Sequence, residues 1–90
     1  MGKTQFAELA WDEYQIWIEE DRKTVKKINN LLKDIARNGV SEGIGSPEPL
    51  KGDLAGWYSR QINKKDRLVY RLLDDDVIEI LSCKGHYNDK

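Results

Sequence analysis

The chain has 90 residues, of which 39% are hydrophobic and 34% are charged, and its formal net charge at pH 7 is −1. This length predicts one domain, residues 1–90, with one modest core, since small domains bury roughly 60% of their unfolded surface. No apolar run approaches the roughly 18–20 residues that cross a bilayer. A lone cysteine, Cys83, and a lone histidine, His86, exclude an intrachain disulfide and an ordinary structural zinc site, so we expect a cytoplasmic protein without metal or cofactor.

The first half of the chain predicts a short strand and two helices. Residues 3–6 are a candidate opening strand. From Ala7 onward, apolar residues recur at steps of three and four, which indicates one face of a helix. Asp21 is a natural N-cap for a second helix, whose apolar stripe begins at Val25 and for which Gly39 is a natural C-terminal cap. Because few residues join them, the two helices predict an antiparallel hairpin.

A loop that contains both prolines of the chain follows the helices. Pro47 and Pro49 flank Glu48, which favours extended backbone on both sides of this carboxylate. Rigid presentation of a loop side chain is typical of a binding or catalytic group. The structural alternative is that Glu48 caps a turn.

The second half of the chain predicts three strands, because the apolar period changes to two. Residues 57–62 and 66–73 alternate, and residues 77–83 follow after a polar turn. The order β-α-α-β-β-β with short connections predicts an α+β fold, in which the helix hairpin packs on one face of a small antiparallel twisted sheet. The uncovered face would carry Arg67 and either Arg60 or its neighbours.

Basic residues concentrate between positions 51 and 71, where six stand against two acids in spite of the net charge of −1. A local positive field steers a phosphate backbone to a site, and a solvated face is the structural alternative. The six basic residues are Lys51, Arg60, Lys64, Lys65, Arg67 and Arg71.

A carboxylate, a guanidinium and an imidazole together can cleave RNA without a metal. The carboxylate accepts the proton of a ribose 2′-OH, the imidazolium protonates the leaving 5′ oxygen, and the guanidinium stabilises the charge at phosphorus. Glu48, Arg67 and His86 supply these groups. The spacing alone leaves open whether these three side chains come together in the fold. The structural alternative for Arg67 is an ion pair across the hairpin, with Glu79 or with Asp74–Asp76.

Three segments of the chain match one known family. The segment "SPEPLKGDLAGWYSRQINKKDRLVYRL", the ending "CKGHY" and the stretch "AWDEYQIWIEEDRKTVKKINNLLKDI" resemble the central signature, the closing motif and the helix pair of YoeB-type toxins, members of the RelE superfamily. The resemblance covers about residues 3–87. It implies a RelE-like (microbial-ribonuclease) fold and a toxin that cleaves mRNA in the A site of the 70S ribosome. It also implies a YefM-like antitoxin as partner, and it leaves open whether the toxin is a homodimer.

The resemblance assigns roles to individual residues. Glu48 matches the general base, Arg67 the arginine that stabilises the transition-state phosphate, and His86 the general acid. Tyr87 matches the tyrosine that stacks on or orients the RNA near the cut. The residues predicted to contact RNA or phosphate are Lys51, Arg60, Lys64, Lys65 and Arg71.

The chain departs from the family pattern at three places. The family usually has Arg-Arg where this chain has Arg60-Gln61, and often a histidine or another polar residue where this chain has Asp66. Relatives commonly stop at the His-Tyr pair, whereas residues 88–90 follow it here. The change at Gln61 and the added residues keep a second function open, a non-catalytic module that blocks translation by binding the ribosome or a partner.

Overall fold

The computed structural model describes residues 3–85, which form two helices packed on a five-stranded sheet. His86 and Tyr87 therefore lie outside the described residues. The strands are β1 (Lys3–Phe6), β2 (Glu48–Pro49), β3 (Tyr58–Gln61), β4 (Arg67–Leu73) and β5 (Val77–Ser82), and the helices are α1 (Glu8–Glu20) and α2 (Arg22–Asn38). The predicted α+β class is confirmed, and the two-residue strand β2 is an addition to the predicted elements.

The two helices form the predicted hairpin, with a single residue between them. The carboxylate of Asp21 accepts hydrogen bonds from the backbone N–H groups of Lys23 and Thr24, at 3.1 and 3.3 Å. Hydrogen bonds from Thr24 lower the pKa of Asp21, since they favour the charged form of the cap. Asp21 thus begins α2 as the sequence predicts, and the chain reverses direction at this residue.

The sheet has the order β1-β5-β4-β3-β2 and is mixed rather than antiparallel throughout. β1 pairs with β5 in parallel, with Phe6 beside Ile80, while the other neighbouring strands are antiparallel. The prediction of an antiparallel sheet is therefore wrong for β1. Short connections favour antiparallel pairing only among strands that follow one another, and the two helices and three strands separate β1 from β5.

The core lies between the helices and one face of the sheet. Leu68 and Tyr70 of β4 are both fully buried in it. Because side chains alternate along a strand, Arg67, Val69 and Arg71 point to the opposite face, called the open face below. The other buried members of the core are Ala10, Trp17, Ile28, Leu31, Ile35, Ile62, Ile78, Ile80 and Cys83. Within residues 3–85, no helix has the length and apolar character that crossing a membrane requires.

Candidate functional site on the open face

Glu48 and Arg67 meet on the open face, although 18 residues separate them in the sequence and β3 lies between their strands. The shortest distance between Nη2 of Arg67 and Oε1 of Glu48 is 3.4 Å. Ser59 of β3 lies opposite Glu48 in the strand register and accepts a hydrogen bond of 3.2 Å from Nη1 of Arg67. The fully buried serine hydroxyl therefore orients the guanidinium toward the carboxylate.

The side chains of Glu48 and Arg67 are accessible to solvent, and their ion pair contributes little to folding. The side chain of Glu48 is 48% exposed and that of Arg67 is 22% exposed. An ion pair of this exposure contributes only about 0–1 kcal/mol to folding. The pair is consequently not what holds the sheet together, and both side chains present polar atoms to a ligand on the open face.

The backbone before Glu48 makes a tight turn that restrains the chain at this residue. Gly45 and Ser46 have positive φ angles of 84° and 52°, and the carbonyl oxygen of Gly45 accepts a hydrogen bond of 2.7 Å from the backbone N–H of Gln61. Beyond the flanking Pro49, the backbone N–H of Leu50 donates to the carbonyl oxygen of Trp57 at 2.9 Å. The loop is therefore bonded to neighbouring backbone on both sides of Glu48.

Arg60 lies on the other face of the sheet, which corrects the prediction that it contacts phosphate. Its side chain is fully buried, and five hydrogen bonds use all five N–H donors of the guanidinium. Nη1 forms an ion pair with Asp34 of α2, and Nε donates to the hydroxyl of Tyr70 at 2.9 Å. The remaining acceptors are the carbonyl oxygens of Gly39, Glu42 and Ile44.

The loop after α2 wraps around this buried arginine. A Cβ on Gly43 would lie 1.7 Å from Oδ2 of Asp34, and its φ angle is 120°, so only glycine fits at this position. The hydrogen bond from Arg60 holds the pKa of Asp34 below its usual range. Arg60 is thus a structural residue that ties the loop leading to Glu48 to both the helix and the sheet.

The other predicted RNA-binding residues differ in how they are engaged. Lys51, Lys64 and Lys65 are exposed. Nε of Arg71 donates to Oε1 of Glu79 at 2.8 Å, and its guanidinium lies 4.4 Å above the ring of Trp57. Glu79 stands directly opposite Arg71 in the register of β4 and β5, so the structure gives Glu79 a partner other than Arg67.

The chain after β5 is held beside Arg67. The carbonyl oxygen of Gly85 accepts a hydrogen bond of 3.0 Å from the backbone N–H of Arg67, and the N–H of Gly85 donates to Oδ1 of Asp66 at 2.7 Å. Two residues earlier, the N–H of Cys83 donates to Oε1 of Glu13 at 2.7 Å, and Nε1 of Trp17 donates to the carbonyl oxygen of Cys83 at 2.8 Å. The last described residue, which precedes His86, therefore lies next to the candidate site.

Burial controls the ionisation of two groups in this region. It raises the pKa of Glu13, although the N–H of Cys83 acts in the opposite direction. Burial also raises the pKa of the Cys83 thiol to about 12, and this side chain is fully buried in the core. The prediction that Cys83 packs as a small hydrophobic residue is confirmed.

Sequence reasoning missed Ser59, Asp66 and Glu13, whose contacts join residues that are distant in the sequence. The only local signal was the position of Asp66 directly before Arg67. Among the side chains of residues 3–74 and 76–85, no group of three or more histidine, cysteine, aspartate or glutamate residues has the geometry to hold a metal ion.

A family model, curated proteins and solved structures all match this chain to the same family. The model of the YoeB-like toxin of bacterial type II toxin-antitoxin systems matches residues 6–87. Toxin YoeB of Synechocystis sp. is 48% identical over 85 residues, which cover 94% of this chain and 96% of that protein. YoeB in the heterotetrameric YoeB-YefM complex of Staphylococcus aureus has a TM-score of 0.89 and 52% identity, with 97% and 99% of the two chains covered. The YoeB dimer of the same species has a TM-score of 0.87 and 53% identity, with 94% and 97% covered.

Proposed function

Because the chain belongs to the YoeB-like toxins of bacterial type II toxin-antitoxin systems, we propose that it is a ribosome-dependent endoribonuclease formed by a single toxin domain. It cleaves translated mRNA and thereby inhibits translation. The observation that carries this proposal is the approach of Glu48 to Arg67 on the open face, at 3.4 Å and with both side chains partly exposed. A carboxylate and a guanidinium at this separation span the 2′ oxygen and the phosphate of one nucleotide step.

The proposed reaction is a transesterification within the RNA and uses no metal. Glu48 accepts the proton of the ribose 2′-OH, and the 2′ oxygen attacks the adjacent phosphorus. The guanidinium of Arg67 stabilises the added negative charge on the phosphorane. The bond from phosphorus to the 5′ oxygen then breaks, which leaves a 2′,3′-cyclic phosphate and a 5′-OH. Requirement for the 2′-OH makes the reaction specific for RNA.

His86 is the proposed general acid, which gives its proton to the leaving 5′ oxygen, and Tyr87 stacks on or orients the RNA. Both residues follow Gly85 in the sequence. The hydrogen bond from the backbone N–H of Arg67 to Gly85 supports this assignment, because it brings the residue before His86 to the arginine. Imidazole suits the role, since its ordinary pKa of about 6.5 lets it carry a proton near neutral pH.

Lys51, Lys64, Lys65 and Arg71 are the proposed contacts to RNA phosphates. Three of them are exposed, and Arg71 is 41% exposed in its pair with Glu79. A 90-residue chain with a net charge of −1 has little surface with which to grip RNA unaided. The ribosome therefore supplies much of the substrate positioning, which contributes several kcal/mol to lowering a barrier.

A YefM-like antitoxin is the proposed protein partner, and a homodimer is the proposed assembly of the free toxin. The relatives from Staphylococcus aureus with 52% and 53% identity support both, one as a heterotetrameric YoeB-YefM complex and the other as a YoeB dimer. An antitoxin that restrains a ribosome-directed toxin acts where translation occurs, so we place the protein in the bacterial cytoplasm.

Primer extension on a translated message tests the proposed activity. The purified chain is added to a bacterial translation extract and, in parallel, to the same mRNA without ribosomes. We expect new 5′ ends in phase with the codons only when ribosomes are present. Stalled but intact message would instead establish the alternative, a module that blocks translation without cleavage.

Two matched glutamate variants make this assay specific for the site. Glu48→Gln keeps the shape of the side chain and removes the base, so cleavage is expected to fall by about 10²–10⁴-fold. Glu42→Gln makes the same change at an exposed glutamate of the same loop and is expected to cleave normally. His86→Gln tests the acid, and full cleavage by this variant would contradict its assignment.

A further inference from the structure

We propose that Asp66 is a positioning residue that holds Gly85, the residue before the proposed general acid, beside the phosphate-binding arginine. Asp66 is 8% exposed and stands in the turn between β3 and β4, directly before Arg67. The inference rests on the proposed function.

Each oxygen of the Asp66 carboxylate accepts one hydrogen bond. Oδ1 accepts from the backbone N–H of Gly85 at 2.7 Å, and Oδ2 accepts from Nδ2 of Asn63 at 3.0 Å. The turn itself is closed by Asn63, whose Oδ1 accepts from the backbone N–H groups of Lys65 and Asp66, both at 2.8 Å. The backbone carbonyl of Asp66 accepts from Ile62 at 2.9 Å. Oδ1 of Asp66 is thus a fixed acceptor on a rigid turn.

Gly85 is bonded to two consecutive residues of this turn and strand. Its N–H donates to the side chain of Asp66, and its carbonyl oxygen accepts from the backbone N–H of Arg67 at 3.0 Å. A residue held at both its donor and its acceptor has little freedom to shift or rotate. Since His86 follows Gly85 in the sequence, the position of Gly85 sets where the backbone of the proposed acid begins relative to Arg67.

A second carboxylate at the end of β5 has a different task. Glu13 of α1 accepts from the N–H of Cys83, and Trp17 donates to the carbonyl oxygen of the same residue. These contacts attach the end of β5 to the helix layer. Asp66 instead attaches the chain to the strand that carries Arg67, and charge-assisted bonds of this kind are about twice as strong as neutral ones.

The chain offers an exchange variant that tests geometry separately from charge. In Asp66→Asn, an amide N–H₂ would face the N–H₂ of Asn63, so one of the two bonds of Asp66 is lost. In the double variant N63D/D66N, the new Asp accepts from the new Asn, while the amide oxygen at position 66 still accepts from Gly85. The oxygen that accepts from Lys65 is also retained. The double variant therefore preserves the pattern of hydrogen bonds with the charge moved by three residues.

The experiment measures the single-turnover rate of cleavage on mRNA-programmed ribosomes, over a range of ribosome concentrations. D66A is expected to lower the saturating rate by about 10–100-fold, the size of effect that a misplacement of about 1 Å has on a catalytic group. The ribosome concentration at half-maximal rate should stay unchanged. N63D/D66N should recover most of the rate that D66N loses, and D12N, on an exposed aspartate of α1, is the matched control.

A double-mutant cycle of D66A with His86→Gln separates a positioning role of Asp66 from a role in general stability. If Asp66 acts through His86, D66A has no further effect on the rate of the H86Q variant. Equal additional losses in both backgrounds would assign Asp66 a structural role only and overturn the proposal. Should D66A fail to fold, the cleavage rate of N63D/D66N is compared with that of D66N. Equal rates for these two variants would overturn the positioning role of Asp66. A wild-type chain that leaves the message intact overturns the proposed function itself, whereas equal cleavage by wild type and D66A overturns the assignment of Asp66 alone.

Discussion

Arg60 and Arg67 belong to neighbouring strands of one sheet, yet they serve opposite purposes. Arg60 is enclosed on the helix side, with all five of its N–H donors bonded. Arg67 lies on the open face, 3.4 Å from a carboxylate that is itself half exposed. A charged residue thus builds the fold where all its donors are bonded and desolvated, and it is available for chemistry where it and its ion-pair partner both stay partly exposed.

The difference has a simple energetic basis. A charge removed from water costs several kcal/mol, which only a complete set of hydrogen bonds and an opposite charge offsets. Asp34 and the carbonyl oxygens of residues 39, 42 and 44 provide that set for Arg60. The side chains of Arg67 and Glu48 are partly exposed to solvent, so phosphate oxygens can compete for the guanidinium at little cost to the fold.

Replacement of Arg60 is expected to have the largest effect on stability. In Arg60→Met, Asp34 and three loop carbonyls lose their donor, which is expected to lower the free energy of unfolding by about 3–5 kcal/mol. Urea denaturation followed by tryptophan fluorescence measures this change. A loss below about 1 kcal/mol would show that the buried network is dispensable and would break the comparison.

Replacement of Arg67 by methionine is expected to affect the cleavage rate more than the stability. Arg67→Met removes the group that stabilises the phosphorane, so the cleavage rate should fall by about 10²–10³-fold. Its free energy of unfolding should fall by about 1–2 kcal/mol, less than for Arg60→Met, because the ion pair with Glu48 is exposed and the buried hydroxyl of Ser59 loses one donor. Rate and denaturation are measured on the same preparation, and a large loss of stability with normal cleavage would contradict the assignment.

The pair of Arg60 and Asp34 also predicts how stability responds to acid. Since the pKa of Asp34 is lowered below its ordinary value of 3.8 in the folded chain, its stabilisation is present above that value and is lost as the pH falls through the folded value. The difference in unfolding free energy between wild type and Asp34→Asn should therefore be constant above about pH 5 and shrink in more acid solution. Denaturation curves at several pH values measure it, with Asp12→Asn as the exposed control. A difference that grows toward low pH would contradict the role of this carboxylate.

The smallest effect is expected for the exposed pair on the open face. Glu79→Gln weakens the contact with Arg71, whose side chain is 41% exposed, and should cost about 0–1 kcal/mol of unfolding free energy. Because salt screens such pairs, the cost should decrease further in about 1 M NaCl. A larger, salt-independent cost would mean that this arginine resembles Arg60 rather than Arg67.

The sequence predicted the local features of this fold and missed those that depend on distant partners. The cap at Asp21, the hairpin of helices and the burial of Cys83 are all set by neighbouring residues or by apolar spacing. The parallel pairing of β1 with β5 has no local signal, because the two strands lie at opposite ends of the chain.

The misplacement of Arg60 has a more instructive cause. It shares strand parity with Tyr58 and Ile62, and that alternation places it on the core side of β3. Its charge points the other way, because a charged side chain is almost never buried without partners. The partners come from α2 and the following loop, 16 to 26 residues away, and spacing within the strand does not reveal them. His86 and Tyr87 stay predictions from the sequence.

Because Cys83 is buried and is the only thiol of the chain, its labelling rate is a probe of local opening near the end of β5. Thiol reagents attack the thiolate, and a pKa of about 12 with a fully covered sulfur leaves almost none to react in the closed form. Glu13 and Trp17 hold the backbone of this same residue. The rate of labelling therefore reports the frequency with which the segment leading to Gly85 opens, and no probe has to be introduced.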